Sequence, residues 1–348
     1  MFVAGAGMAG LVTAARAREL GLKPTVIEKG DRPGGSMLLS SGVVWRHRSL
    51  EEFRRDCPRG DERLQRLVFE RLDDGLAWLE RLGAPVLARE TDNPRTVGRR
   101  FGARALTAAL LRAAGNVEVR RELAAGQKGP IVLATGGFPV RLARERGLLL
   151  RSNPWSEGGG LDFATARGAA TTDGMAEFYG RAMPAPPARW AEDHFVDHAQ
   201  LYGLRARVVD EEGEEIPIDP DDWSENGLVQ AIAARGGTAW YVVPREELDA
   251  PTPYGTIGEA IERARAVGGD VEPRPHGAFA VHVAAAVTHT IGGVAVDERA
   301  RVLDRAGAPI DGLYAAGVDV GGVATGGYAS GLAAALVLGL IAAEELAS

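Results

Sequence analysis

The sequence predicts an α/β fold. Two glycine clusters, with the strands that lead into them, predict it. The first is Gly5-Ala-Gly7-Met-Ala-Gly10. It stands between Phe2-Val3-Ala4, which reads as the end of a buried strand, and Leu11 to Leu20, whose Ala, Leu and Arg read as a helix. Lys23-Pro-Thr-Val-Ile27 then reads as a second strand that ends at Glu28, so turn and acid fall within one βαβ unit about 20 residues apart. The second cluster is Gly312-Leu-Tyr314-Ala-Ala-Gly317, a strand-to-helix turn, followed by an apolar helix from Gly331 to Ala343.

Glycine fills 46 of the 348 positions, so roughly one chance match to three spaced glycines is expected and the context carries the weight. Gly5 permits a tight turn, Gly7 lets backbone approach a pyrophosphate, and Gly10 lets helix and strand pack closely. The helix start, with Met8 and Ala9, offers free N–H groups and the positive end of a dipole to phosphates. Glu28 is expected to accept hydrogen bonds from an adenosine ribose, with Lys29 beside it. These parts describe a Rossmann-like cradle for the ADP half of a dinucleotide. An NAD-type fingerprint needs neither Gly34-Gly35-Ser36 after the acid nor a second glycine turn near the C-terminus. Those extra loops imply FAD, with Gly317 closing over the rest of the cofactor.

The intervening elements follow in order. Residues 50–83 read as mostly helical, with Leu64, Leu67, Leu72, Leu76, Leu79 and Leu82 at near-helical spacing and Phe69 and Trp78 in the same stripe as core. Ala103 to Ala114 reads as an amphipathic helix, Val117-Glu-Val119 as a strand and Ile131-Val-Leu133 as a short buried strand that runs into Ala134-Thr135-Gly136-Gly137. The character changes at 154–283, with Pro184-Ala-Pro-Pro187 and the acidic turns 210–215 and 219–222. Within it, Trp240-Tyr-Val-Val243 alternates little and reads as a buried strand, and Thr256 to Val267 reads as a helix. The chain then returns with Val283 to Val287 and Gly293-Val-Ala-Val296. The expected organisation is a discontinuous FAD-binding domain, 1–153 and 284–348, with an inserted α+β substrate or cap domain, 154–283.

Composition excludes several classes. Net charge is −7, arginines alternate with acids, and no long basic run exists, so no nucleic-acid partner is expected. No CxxC or clustered His/Cys pattern suggests a metal, and the single Cys57 cannot form an internal disulfide. The apolar N-terminus lacks a basic leader and its glycines belong to the nucleotide motif, so it does not read as a signal peptide. The 331–343 helix is too short to span a bilayer and ends in Glu344-Glu345. A cytoplasmic protein without a membrane span is expected.

Five motifs together, Gly5–Gly10 with Glu28, Gly34-Gly-Ser-Met-Leu-Leu-Ser-Ser-Gly42, Val132-Leu-Ala-Thr-Gly-Gly-Phe138, His289-Thr-Ile-Gly-Gly293 and Pro309 to Gly317, occur in the order found in one family. The chain resembles the fumarate reductase/succinate dehydrogenase flavoprotein superfamily, which includes the 3-ketosteroid Δ1-dehydrogenases. The resemblance implies a glutathione-reductase-like FAD-binding domain. It also implies hydride transfer between flavin N5 and a carbon next to a carbonyl or carboxylate. Cofactor contacts are implied for Gly34, Gly35, Ser36, Ser40, Ser41, Gly42, Ala134, Thr135, Gly136, Gly317, Ser330, Gly331 and Leu332, with Asp319 as the ribityl-contacting acid displaced by one position. His289 stands where the family's histidine helps bind a substrate carboxylate or carbonyl, and Thr290 stands beside it.

The sequence departs from the family in ways that bear on substrate. The C-terminal segment Ala324-Thr-Gly-Gly-Tyr-Ala-Ser-Gly-Leu332 lacks the arginine that clamps a carboxylate in fumarate reductases. No match to their proton-donating arginine is found, and the region near Asp221-Asp-Trp-Ser-Glu225 is acidic. Tyr328-Ala329 instead resembles the ketosteroid dehydrogenases' Tyr-Ala pair, whose phenol polarises a ketone, although Leu332 replaces a following glycine. Tyr328, His289 and Thr290 are therefore the candidate catalytic residues. The expected activity is FAD-dependent oxidoreduction of a CH–CH bond next to a carbonyl, with a ketone favoured and an unidentified electron acceptor. Alternatives are a dicarboxylate oxidoreductase and a flavin-binding protein without turnover. The segment Ser36 to Val44 holds no histidine for a covalent flavin link, so FAD is expected to be non-covalent. Only four residues precede Gly5, and the stretch between Val119 and Ile131 is short for the family's β-meander. Trp155, after Asn153-Pro154 at the expected domain junction, reads as structural. His194, His198 and His276 lack partner spacing, and Tyr179, Tyr202 and Tyr254 fall in the expected cap.

Overall fold

The computed structural model describes all 348 residues and divides into two compact units. The first comprises Met1–Pro139, Asn153–Glu177 and His289–Ser348; the second comprises Val140–Ser152 and Phe178–Thr288. These bounds differ from those read in the sequence at both ends of the inserted segment. Strand pairing decides the first difference: Leu149–Leu150 pairs in parallel with Ala286–Val287, which draws that stretch into the second unit.

The first unit is built on a six-stranded sheet. Strand β1 (Phe2–Ala4) leads into helix α1 (Met8–Glu19), and the chain returns as β2 (Thr25–Glu28), parallel to β1 with Val3 opposite Val26. The strand 117–119 adds beyond β2, and 131–133 lies on the other side of β1 with Val3 opposite Val132. The strand 309–315 continues the parallel series, and 301–303 closes the edge antiparallel. Parallel strands put their C-terminal ends, and the turns that follow them, at one end of the sheet.

Two helices lie together on this sheet, and both are buried on nearly all sides. In α1 the buried run is Met8–Ala15, and in Gly331–Ala347 it is Ala333–Ala343. A helix without a polar face belongs in an interior. Small residues let the pair approach: a Cβ at Gly339 would stand 2.9 Å from Ala9 O, and Thr13 Oγ1 donates to Gly339 O at 3.1 Å. The 50–83 stretch forms two helices, Leu50–Asp56 and Glu62–Arg81, and the leucine stripe runs along the second; Leu64, Leu72, Leu76 and Leu79 are buried, while Leu67 and Leu82 are half-buried. A three-stranded antiparallel sheet of 43–47, 96–101 and 86–88, which no local pattern announced, completes the unit.

The second unit is a mixed sheet around residues 279–288 of the long strand Phe279–Thr290, with helices Asn226–Ala234 and Ile257–Ala266. Thr256 caps the latter with Glu259 in a reciprocal capping box, which places its start where the sequence reading had it. One expectation is corrected here: Thr238–Val243 alternates buried and half-buried positions because only one face meets the core. No helix is long and apolar enough to cross a membrane.

The interior of this unit holds an ionisable group. Glu225 is buried in a left-handed backbone conformation ahead of helix 226–234, and Tyr202 and Tyr241 are fully buried. Burial pushes the Glu225 carboxyl up to about 7, against the pull of Arg181 and the backbone N–H groups of Gly203 and Leu204; Asp222 adds to the rise. The fold therefore holds the protonated form more tightly than the unfolded chain, whose glutamate titrates near 4.5. The stability this carboxyl contributes is fully present below 4.5, declines as pH rises through 7 and is absent above it. Glu225→Gln removes this decline. The variant is expected to exceed the wild type by about 3 kcal/mol at pH 9 and not at pH 4. Chemical denaturation of both proteins at the two pH values checks this; equal gains at both would refute the ionisation account.

Candidate nucleotide and flavin site

The site region begins where β1 ends. Gly5 has φ +104°, and a Cβ there would lie 2.1 Å from Ala134 O, so only glycine permits the crossing of this turn with the one after strand 131–133. A Cβ at Gly10 would stand 1.9 Å from Gly5 O, which welds the start of α1 to the strand. Gly7 differs. Its Cβ would meet only Gly34 O and Gly35 Cα, each at 4.0 Å. Gly7 and Gly35 thus face each other across a slot at the N-terminus of α1, and Gly34 N donates to Ala6 O at 2.7 Å to hold the two loops together. Gly7 supplies no side-chain cap, and the first turn of α1, with Met8 and Ala9, carries no acid. Backbone donors, a positive dipole end and glycine walls form the donor set that a pyrophosphate requires. The residues present therefore fit the phosphate portion of FAD.

Glu28 lies at the C-terminal end of β2. It accepts from Ala6 N at 2.8 Å and Gly30 N at 2.7 Å. The carboxylate is held at the edge of the slot, where a ribose hydroxyl would meet it. Lys29 is ion-paired with Glu157 and with Glu122, the latter at 3.4 Å, and the Glu157 contact is the main cause of its raised pKa. Ser36 Oγ accepts from Asn153 Nδ2 at 2.7 Å. Ser40 caps its own turn, donating to Met37 O and accepting from Gly42 N, and Ser41 and Gly42 follow on that loop.

The turn after strand 131–133 supplies the next wall. Ala134 N donates to Ala4 O at 2.8 Å, which keeps this turn beside Gly5. Asp319 joins it from the C-terminal part of the chain. Its carboxylate accepts from Thr135 N, from Thr135 Oγ1 at 2.8 Å and from Gly136 N at 3.2 Å. Burial raises the Asp319 pKa, and these donors, with Gly137 N, pull against it. As it stands, the carboxylate braces two loops 184 residues apart. Gly317 opens the same short turn two residues earlier, and a Cβ there would come 2.9 Å from Ala9 Cβ.

A cleft opens at the start of helix 331–347, lined by His289, Thr290, Gly317, Ala329, Ser330 and Gly331 among others. Ser330 caps the helix, accepting from Ala333 N at 3.3 Å, and Leu332 follows on its first turn. A Cβ on Gly331 would lie 3.0 Å from His289 Nε2, so the imidazole faces the helix start. Burial lowers the His289 pKa, with Thr290 O, 3.2 Å from Nδ1, opposing. The ring is neutral at pH 7. Thr290 is buried, and its hydroxyl accepts from Phe138 N at 3.5 Å. Tyr328 is half-buried and does not line this cleft; its ring packs edge-on against Trp45, centroids 5.3 Å apart.

Direct contacts thus link Gly5–Gly10, Glu28, the 34–35 loop, the 134–136 turn, Gly317 and Asp319, and His289 and Thr290 line the cleft beside Gly317. Sequence reasoning missed the bracket at 153–160. Ser156 Oγ donates to Thr135 O at 3.2 Å, and Gly160 N donates to Thr135 Oγ1 at 3.2 Å. The signal was present as Asn153-Pro-Trp-Ser and the run Gly158–Gly160, which follow the Thr135 turn by some twenty residues.

Residues 107–332 match the family described as FAD binding domain, and residues 3–42 match the NAD(P)-binding Rossmann-like domain. A probable fumarate reductase Ifc3 of Shewanella frigidimarina is 47% identical over 73 residues, a stretch that covers 20% of this chain and 12% of that protein. Among solved structures, the 3-ketosteroid delta1-dehydrogenase of Sterolibacterium denitrificans superposes with a TM-score of 0.75 at 16% identity, covering 99% of this chain and 98% of that one. The 3-ketosteroid-delta4-(5alpha)-dehydrogenase of Rhodococcus jostii RHA1 gives 0.72 at 19% identity, covering 100% and 96%. The open conformation of a flavocytochrome c3 fumarate reductase gives 0.70 at 20% identity, covering 99% and 77%. At these identities the structures share the fold.

Proposed function

The chain belongs to the FAD binding domain family, and from that premise we propose that it is an FAD-dependent oxidoreductase acting on a CH–CH bond next to a carbonyl, with a ketone as the favoured substrate. Bound FAD supplies the acceptor or donor of hydride. The chain's own residues bind and orient. The Gly7–Gly35 slot and the start of α1 hold the phosphates, Glu28 the ribose, and Gly317 with the start of helix 331–347 the flavin end. The second unit serves as the substrate or cap domain.

One observation carries the ketone preference. The cleft beside Gly331 offers a neutral imidazole and otherwise mostly apolar groups, with no arginine or lysine among its lining residues. A dicarboxylate needs fixed cations to offset its desolvation, whereas a neutral carbonyl needs only a hydrogen-bond donor. Tyr328 is the proposed phenol that polarises that oxygen, while His289, whose one N–H lies on Nδ1 against Thr290 O, presents Nε2 to the cleft as an acceptor. The phenol, as such a donor, stabilises the oxygen as the α-proton leaves. A second reading, dicarboxylate oxidoreduction, draws on the 73-residue match to a probable fumarate reductase. Anaerobic assays with a dye acceptor separate them. Turnover with cyclic ketones and none with succinate or fumarate is expected, and the reverse would overturn the preference. A cytoplasmic location accords with the single buried Cys57, which needs no oxidising compartment.

The flavin is proposed to be non-covalent. His47, just beyond the loop at 36–44, is buried and stacks on Phe53 at 4.8 Å, with Asp56 3.4 Å from Nε2. Its ring is thus committed to packing. Acid precipitation of the holoprotein is expected to release the yellow colour into the supernatant; colour retained in the pellet would establish a covalent link.

A further inference from the structure

We propose that Trp155 is the aromatic platform on which the adenine of the nucleotide stacks. This assignment rests on the FAD reading and adds a residue that neither the motifs nor the family match supplies.

A single exposed tryptophan is unremarkable on a protein surface. The position of this one is informative. Trp155 is 39% exposed, and its indole covers the backbone of Gly30, two residues beyond Glu28. A Cβ at Gly30 would lie 2.7 Å from Trp155 Cδ1 and 2.9 Å from Nε1, and 3.1 Å from Glu28 Oε1. Indole edge and carboxylate therefore share one face of residue 30, and the absence of a Cβ there lets both pack against it. Val119 stands opposite Glu28 in the neighbouring strand and is 40% exposed. Two exposed apolar side chains thus flank the residue expected to hold the ribose, and a base carried by that ribose meets them first.

The backbone turn that carries the indole is held in place. Asn153 Oδ1 accepts from Trp155 N at 3.0 Å. Asn153 Nδ2 donates to Ser36 Oγ at 2.7 Å and to Ser156 Oγ at 3.0 Å, and Ser156 Oγ donates to Thr135 O. The Lys29–Glu157 ion pair fastens the far end of the turn beside β2. The segment 153–157 is therefore clamped to the phosphate loop at Ser36 and to the Thr135 turn. An aromatic carried on a fixed turn costs little backbone ordering on binding, which favours stacking.

The test uses the full chain stripped of flavin, with FAD and ADP as separate probes. ADP carries no flavin, so a change in tryptophan emission on its binding reports the base. Trp155→Ala is expected to weaken both FAD and ADP on the order of 10- to 100-fold, the range of base–aromatic stacking. Trp155→Phe keeps a ring and is expected to stay within about fivefold of the wild type. Quenching of tryptophan emission by ADP is expected in the wild type and absent in Trp155→Phe. Circular dichroism confirms that the variants fold, since the side chain is exposed. ADP and FAD affinities within twofold of wild type in Trp155→Ala would overturn the platform while leaving FAD binding intact. Equal losses in the Ala and Phe variants would overturn it too, because the ring would then be irrelevant. A wild-type chain that binds neither probe would overturn both this assignment and the reading beneath it.

Discussion

Gly7→Val is expected to abolish FAD binding in a protein that still folds, whereas Gly10→Ala is expected to damage the fold itself. The two glycines lie three residues apart, yet their surroundings differ. At Gly7 a Cβ meets nothing nearer than Gly34 O and Gly35 Cα at 4.0 Å, an ordinary contact distance. The Cβ of valine meets only ordinary contacts, and its methyls fill the slot before the first-turn N–H groups of α1, where phosphate oxygens need direct approach. At Gly10 the added carbon would lie 1.9 Å from Gly5 O, a backbone atom that cannot swing aside. Strand and helix would have to part, at a cost of about 3 kcal/mol or more. Flavin fluorescence titration and thermal melts of the flavin-free proteins distinguish the cases. Gly7→Val is expected to melt near the wild type and to show no saturable FAD binding. Undiminished binding in that variant would remove the motif from the site, and an unchanged melt of Gly10→Ala would refute the packing argument.

Tyr328→Phe is expected to lower turnover on the order of 10²-fold with little loss of FAD. The substitution removes one O–H donor and keeps the ring. The edge-on contact with Trp45, at 5.3 Å, is made by the ring, so the local packing survives. The phenol's proposed work is to donate to an oxygen that gains negative charge in the transition state. Such a donor acts on turnover rather than on cofactor affinity. The comparison of kcat with FAD content in the two proteins is the measurement. Strong succinate oxidation or fumarate reduction by the wild type, unchanged in Tyr328→Phe, would refute the phenol's role and return the enzyme to the dicarboxylate branch. Because Tyr328 lies outside the lining of the cleft at His289, loss of turnover would further mean that substrate reaches across to it.

Several features were legible because they depend on near neighbours in the chain. The βαβ unit at Phe2–Glu28 shows its strand, turn, helix and acid within one short stretch, and the helix at 103–114 shows its period. The apolar character of 331–343 marked it as buried before any partner was known. Three short strands at 43–47, 86–88 and 96–101 went unread, because antiparallel pairing over some fifty residues leaves no local trace in so few positions. The strand at 238–243 was found but its alternation was not, since which face is covered depends on what packs there.

By itself the sequence determined the kind of ligand. Gly5, Gly7, Gly10, Glu28, the Gly34-Gly35 loop and the second glycine turn prescribe backbone shapes that only a few folds use, and those shapes suit a pyrophosphate whatever else surrounds them. Tertiary structure alone decided what each residue does there. It made Gly7 open and Gly10 closed, turned the Asp319 carboxylate onto Thr135, seated His289 neutral at a helix start, and laid Trp155 over Gly30. The physical reason is distance along the chain. A turn's conformation is set by the residues within it, whereas burial, hydrogen-bond partners and proton affinity are set by groups that only folding brings near.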